Sequence, residues 1–148
     1  MKNDFDLLNL LNKSNLRNKI ISNWSVGEHI DHICNVVSSI DRTLRDSDPN
    51  LNSEKFNFGK LFVLTFGYIP RGRGKSPNDV LPNIKIDSIE LRDKINLIGG
   101  IRDGMNNLNH GHWIIHPIFG VLKCKNALKF TDIHTRHHVK IINKIMRN

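Results

Sequence analysis

The sequence predicts an all-α fold, an up-and-down four-helix bundle forming a single domain over residues 1–148. Two observations lead there. Long segments carry apolar residues at three- and four-residue steps, the period of an amphipathic helix. No two segments alternate apolar and polar residues convincingly enough to pair as strands, which leaves helix-on-helix layering.

In chain order, Asp4 to Lys19 carries Phe5, Leu7, Leu8, Leu10, Leu11 and Leu16. This predicts an opening helix with a break near Ser14-Asn15. A second helix starts at Trp24-Ser25-Val26-Gly27-Glu28, where Ser25 is placed to cap and Glu28 stands three residues on, as a capping box requires. It runs through Ile33, Val36, Ile40 and Leu44 and stops at Asp46-Ser47-Asp48-Pro49-Asn50, where proline cannot continue it. The run from Phe56 to Phe66 is the most apolar and predicts a short buried helix, with a strand allowed by the same periodicity. A loop rich in Gly, Pro and basic residues follows, from Gly67 to Asp79. Its Gly74-Lys75-Ser76 resembles the end of a phosphate-binding loop, but that motif needs glycine where Ile69 stands. A flexible basic surface loop or lid is the better reading.

Ser88 to Leu108 repeats Leu91, Ile95, Ile98, Ile101, Met105 and Leu108, a third long helix. Gly99-Gly100 in its middle costs roughly 1 kcal/mol per residue against alanine, so either another helix approaches closely there or the axis kinks. His110 to Gly120 has no clean period and reads as a connection. His110 and His112, two apart, suit a loop chelate less well than simple solvation, and His116 is held extended by Pro117.

The last helix, Phe130 to Ile145, is the most informative stretch. His138 lies about 40° around the axis from His134, and Ala127, Phe130, Ile141 and Ile145 fall within about 40° of it as well. Both imidazoles therefore point into the stripe that is buried. His137 turns about 60° the other way, toward a rim. Two buried imidazoles at i and i+4 need polar partners. Either neighbouring side chains supply these or a metal ion satisfies both rings at once. In the second helix His29 lies inside the apolar stripe and His32 at its edge, so spacing alone does not choose between them as an inward ligand.

Charge and composition narrow the functional classes. The 148 residues carry a net charge of +8, and 39% are hydrophobic. Such a chain buries a core without disulfides. Basic residues are spread along the chain, and only Arg71, Arg73 and Lys75 cluster, which makes nucleic acid a poor fit. No apolar run reaches the length of a membrane span. The start, Met1-Lys2-Asn3-Asp4-Phe5, carries no signal-peptide pattern. Cys34 and Cys124 form no CxxC, so they read as reduced thiols in a cytoplasmic protein.

Three passages together resemble the DinB/YfiT-like superfamily of metal-binding four-helix bundles. They are Trp24 to Ile33, where a tryptophan and a small capping segment precede a histidine by eight residues; His116-Pro117-Ile118-Phe119-Gly120-Val121-Leu122, similar to the approach to the last helix in one branch; and His134-Thr135-Arg136-His137-His138, similar to the H-x-x-H-H signature. They span nearly the whole chain. Carried over by position, the resemblance implies metal ligands at His32, His134 and His138, with His29 as the second choice for the first ligand. It implies a divalent metal, zinc or nickel first, and a metal-dependent enzyme that activates a low-molecular-weight thiol or water for transfer or hydrolysis. A non-catalytic metal-binding or stress-related bundle is the alternative. A homodimer is implied too. Many members follow the histidine pair with Arg-Gly-Gln or a nearby Gln; Val139-Lys140-Ile141-Ile142 stands here instead. No general base accompanies the three histidines. Glu28, one turn before His32, is the best candidate for a base or supporting role, with helix capping the simpler reading.

Overall fold

The structure is a computed structural model that describes residues 6–50, 55–72, 76–83 and 85–147. Among these residues the chain is mostly helical, with one small antiparallel sheet. The helices are α1 (Val26–Asp46), α2 (Phe58–Phe66), α3 (Ser88–Asn106) and α4 (Cys124–Arg147). The strands β1 (Trp113–His116) and β2 (Gly120–Lys123) form a hairpin between α3 and α4. Arg73 and Lys75 of the basic loop lie outside the described residues.

α1 is the central element. It begins where the capping box predicts: Ser25 Oγ accepts from the Glu28 N–H (3.2 Å), and the Glu28 carboxylate accepts from the Ser25 N–H (2.6 Å). Its buried face carries Val26, Ile30, Ile33, Val37 and Leu44, and it packs against both α3 and α4. Leu91, Ile98 and Met105 from α3 join the same core, as do Ala127, Ile133 and Ile142 from α4.

Several expectations change. The opening helix is only a 3-10 turn, Leu7–Lys13. The chain leaves it at Ser14 because the backbone there is claimed by α1: the Ser14 carbonyl accepts from the Gly27 N–H (2.8 Å) and Leu16 from Val26 (2.9 Å). A Cβ on Gly27 would stand 3.0 Å from Ser14 Cβ and 3.1 Å from the Ser14 carbonyl oxygen, so this close approach favours glycine. α2 is not the buried helix its composition suggests. Only Lys60, Val63 and Leu64 are buried, while Phe58, Leu61 and Phe66 lie open. Among the described residues the Gly99-Gly100 pair meets no neighbouring element, since a Cβ at either would touch nothing within 4 Å. α4 starts at Cys124, well before Phe130.

The main departure is the hairpin, in a stretch read as an irregular connection. Ile114 pairs with Leu122 and His116 with Gly120, and the turn is closed by Gly120 at φ 66°. Four-residue strands are too short to print an alternating pattern. Ile114 and Leu122 face the core, and Ile115 is exposed.

One buried carboxylate ties α1 to its surroundings. Asp31 is 2% exposed. It accepts from Lys94 Nζ of α3 (2.7 Å) and from the Asn83 N–H (2.8 Å), and Asn35 Nδ2 reaches both Asp31 (3.3 Å) and the Leu81 carbonyl (3.1 Å). The segment 81–83 is thereby pinned along α1. Removing one partner of a buried ion pair leaves an uncompensated charge and costs on the order of 3–5 kcal/mol. Lys94→Met is therefore expected to lower the unfolding free energy by roughly 3 kcal/mol, read as a fall in the urea midpoint at unchanged slope.

Candidate metal centre

The pinned segment delivers a carbonyl to the first of the predicted ligands. Val80 accepts from His32 Nδ1–H at 2.6 Å. That bond places the His32 proton on Nδ1 and leaves Nε2 as a bare lone pair. His32 is 1% exposed and, like His29, lies under the indole of Trp24, with centroids 4.9 and 5.3 Å away.

His32 Nε2 lies 3.2 Å from His134 Nε2, which lies 3.2 Å from His138 Nε2. The donor atoms of the three rings all fall within 4.8 Å of one another. His32 and His138 are buried and His134 is partly so. The H-x-x-H-H spacing on α4 and His32 on α1 thus converge on one point, at the positions the resemblance implies.

His29 has a different place. Its Nδ1 lies 2.9 Å from Nδ1 of His138, and its Nε2 lies 3.0 Å from Ser22 Oγ. Ser22 Oγ also accepts from the Trp24 N–H (3.1 Å). Two proton arrangements satisfy this chain. In one, His138 Nδ1–H donates to His29, whose Nε2–H donates to Ser22, and His138 Nε2 is bare. In the other the donors reverse and His138 Nε2 carries the proton. Only the first frees a lone pair at the centre. His29 therefore sits behind a candidate ligand as the group that orients it. Spacing placed His29 on the buried stripe, but a bond across 109 residues leaves no local signal.

The protons show why a cation fits. In either arrangement, one of the two 3.2 Å contacts at the centre is not a hydrogen bond, because the one His134 Nε2 cannot serve both neighbours. A ring nitrogen is then left unpaired in a buried site, which is unfavourable. Zinc-to-imidazole bonds of about 2.0–2.1 Å around a tetrahedral ion place ligand nitrogens roughly 3.3 Å apart. The two 3.2 Å separations match that and the third pair lies within 4.8 Å, so the donor set and its spacing suit a metal ion.

Burial keeps these rings neutral. It lowers His32 despite the opposing pull of the Val80 carbonyl and Asp31, and it holds His134 and His138 well below the ordinary imidazole value, with the neighbouring rings adding to the effect. His29 is pushed down to about 3, by burial first and then by His32, His137 and Arg71. His137 sits at the rim, as its helical angle predicts, against His138 (5.1 Å) and lowered by burial, Arg71 and Lys140.

The three rings form part of the wall of a cleft of about 1370 Å³. Its walls include Val36 and Ile40 of α1, Phe62 of α2, Phe119 and Phe130, with Ser39, Asp79 and Arg71 as polar members. Glu28 is not among the lining residues. Its carboxylate is engaged by the Ser25 N–H and by Arg17 (2.7 Å), so it serves as the cap of α1. His112 Nδ1 meets the Ser47 carbonyl at 2.9 Å and stands apart from the cluster, and His110 is exposed. Cys34 and Cys124 are free and buried, and burial pushes the Cys34 thiol up to about 12. Arg71 Nη donates to the Ile21 carbonyl. No helix among the described residues is long and apolar enough to cross a membrane.

Comparison with family models, curated proteins and solved structures finds no match.

A pH effect follows from the neutral rings. Their folded pKa values lie below the unfolded value near 6.5, so the unfolded chain binds protons first. The stability they allow is complete above about pH 6.5 and falls as pH drops below it. For the metal-free protein, the denaturation midpoint is expected to fall steadily from pH 6.5 to 5, where carboxylates stay ionised. His116, pushed down to about 4 by burial, takes part in this. His116→Phe is expected to reduce the slope by about one proton, or roughly 1.4 kcal/mol per pH unit.

Proposed function

We propose that this protein is a DinB/YfiT-like helical bundle that binds one divalent metal, zinc or nickel, through His32, His134 and His138. We infer further that it is a cytoplasmic metal-dependent enzyme acting on a small molecule. The observation that carries the reading is the convergence of three imidazole Nε2 atoms at the wall of an open cleft.

Three protein ligands leave a tetrahedral ion one position for an exchangeable group, the arrangement of catalytic rather than structural sites. A metal bound there supplies Lewis acidity that lowers the pKa of a water or thiol. The chain's own residues do the rest. Val80 fixes the tautomer of His32, His29 offers His138 Nδ1–H an acceptor that leaves Nε2 bare, and Trp24 packs against the His32 and His138 rings. The cleft gives a substrate an apolar wall against which to lie. Neither cysteine lines it, so a thiol nucleophile would arrive as a co-substrate. This favours transfer of a low-molecular-weight thiol to an electrophile, with hydrolysis as the second reading. A homodimer belongs to the same proposal by resemblance.

Elemental analysis of untagged protein tests the reading. About one divalent ion per chain is expected in the wild type, with loss in His134→Ala/His138→Ala. Absence of metal after incubation with zinc or nickel would overturn it. Turnover of an electrophile only with added thiol identifies a transferase, and thiol-independent turnover a hydrolase. Metal retention without either activity leaves the non-catalytic alternative.

The orienting role of His29 gives a second outcome. His29→Phe keeps all three ligands but removes the partner of His138 Nδ1. Competition against a chelator is expected to show affinity for zinc weakened by about 10–100-fold, the usual effect of losing such a partner.

A further inference from the structure

His116 ends β1 and lines the same cleft as the three-histidine centre. Its Nδ1 accepts from two backbone N–H groups of the hairpin turn, those of Ile118 (3.2 Å) and Phe119 (3.3 Å). A nitrogen that accepts these bonds carries no proton, so the proton of the neutral ring is on Nε2. The ring is also held from its faces. Phe119 stacks on it with centroids 4.4 Å apart and 12° between the planes, and Phe130 meets it edge-on at 4.6 Å. The same Phe130 ring lies 5.6 Å from His134, four residues on along α4. The Nε2–H finds no acceptor among the described residues, and it is not among their sealed side-chain atoms.

We propose that His116 Nε2–H is the hydrogen-bond donor to an oxygen acceptor, a carbonyl or a carboxylate, on a small and mainly apolar substrate bound in this cleft beside the histidine centre. The inference rests on the reading of that centre as the site of a metal-dependent reaction. It names a substrate class: an aromatic or aliphatic body against Ile40, Phe62 and Phe130, with one oxygen reaching the hairpin turn. The donor selects because a ligand without an acceptor leaves a desolvated N–H unpaired. His116 is a binding residue here, and the turn that receives its Nδ1 is what keeps the donor aimed.

The test uses two probes of matched shape, acetophenone and α-methylstyrene, which differ by a carbonyl oxygen against a methylene. Dissociation constants are measured by NMR titration on the full chain as purified, with metal content determined on the same samples. The ratio of the two constants is the readout. His116→Phe keeps an aromatic ring in the stack and removes the donor. The preference for the ketone, relative to the wild type, is expected to fall by roughly tenfold, the loss of one hydrogen bond. If the Phe variant does not fold, His116→Gln and His116→Asn replace it, because Gln places an amide N–H near the Nε2 position and Asn does not. Gln is then expected to keep the ratio and Asn to lose it.

A ratio unchanged between wild type and Phe, or equal in Gln and Asn, overturns the donor assignment whatever the metal content. Imidazole ¹⁵N spectra with the proton of His116 on Nδ1 overturn it as well. A protein that holds no metal even after incubation with zinc or nickel, yet loses the preference in the variant, keeps the donor and refutes the metal reading instead.

Discussion

A neutral imidazole has two nitrogens and one proton, and the surroundings of the histidine cluster act by deciding which nitrogen holds it. The Val80 carbonyl draws the His32 proton outward. Ser22 and His29 form a chain that can draw the His138 proton outward as well. The effect is to collect lone pairs at one point inside the protein, where burial prevents the rings from relieving the conflict by taking up protons. A cluster so arranged is poised for a cation.

Such an arrangement needs a backbone that does not shift. The Val80 carbonyl comes from a short 3-10 turn, Asn78–Val80, which has little rigidity of its own. The segment after it is anchored to α1 by Asp31 through the Asn83 N–H, and Asp31 in turn holds Lys94 of α3. Asp31 and His32 are adjacent and so point about 100° apart on the helix. One turn of α1 therefore supplies both a candidate ligand and the clamp for the segment that orients it. A buried ion pair is a costly way to gain stability; here its geometric effect is to fix a carbonyl 2.6 Å from an imidazole.

Much of this was legible along the chain and some was not. Helical periodicity placed α1, α3 and α4, and the HxxxH spacing put His134 and His138 on a buried face, because those signals lie within one helix. The choice between His29 and His32 was not open to periodicity. Both are buried in the structure, and they differ in which partner across the fold each meets. The resemblance, not the spacing, pointed to His32. The hairpin was missed because four-residue strands carry too little alternation. The exposed face of α2 was missed because apolar content alone does not report burial. Glu28 was legible as a cap, from its distance to Ser25.

The ligand set has a consequence for charge balance. Three neutral rings bring no negative charge to a dication. Among the described residues lining the cleft, the one carboxylate is Asp79, which accepts from Ser39 Oγ at 3.3 Å. Arg71 adds a further positive charge to the same wall. An ion held by these histidines would keep its full double charge in a poorly solvated setting. The group that neutralises it would have to come from outside the protein. Electroneutrality thus favours an exchangeable partner that arrives as an anion, or becomes one on binding, over a neutral molecule of the same shape.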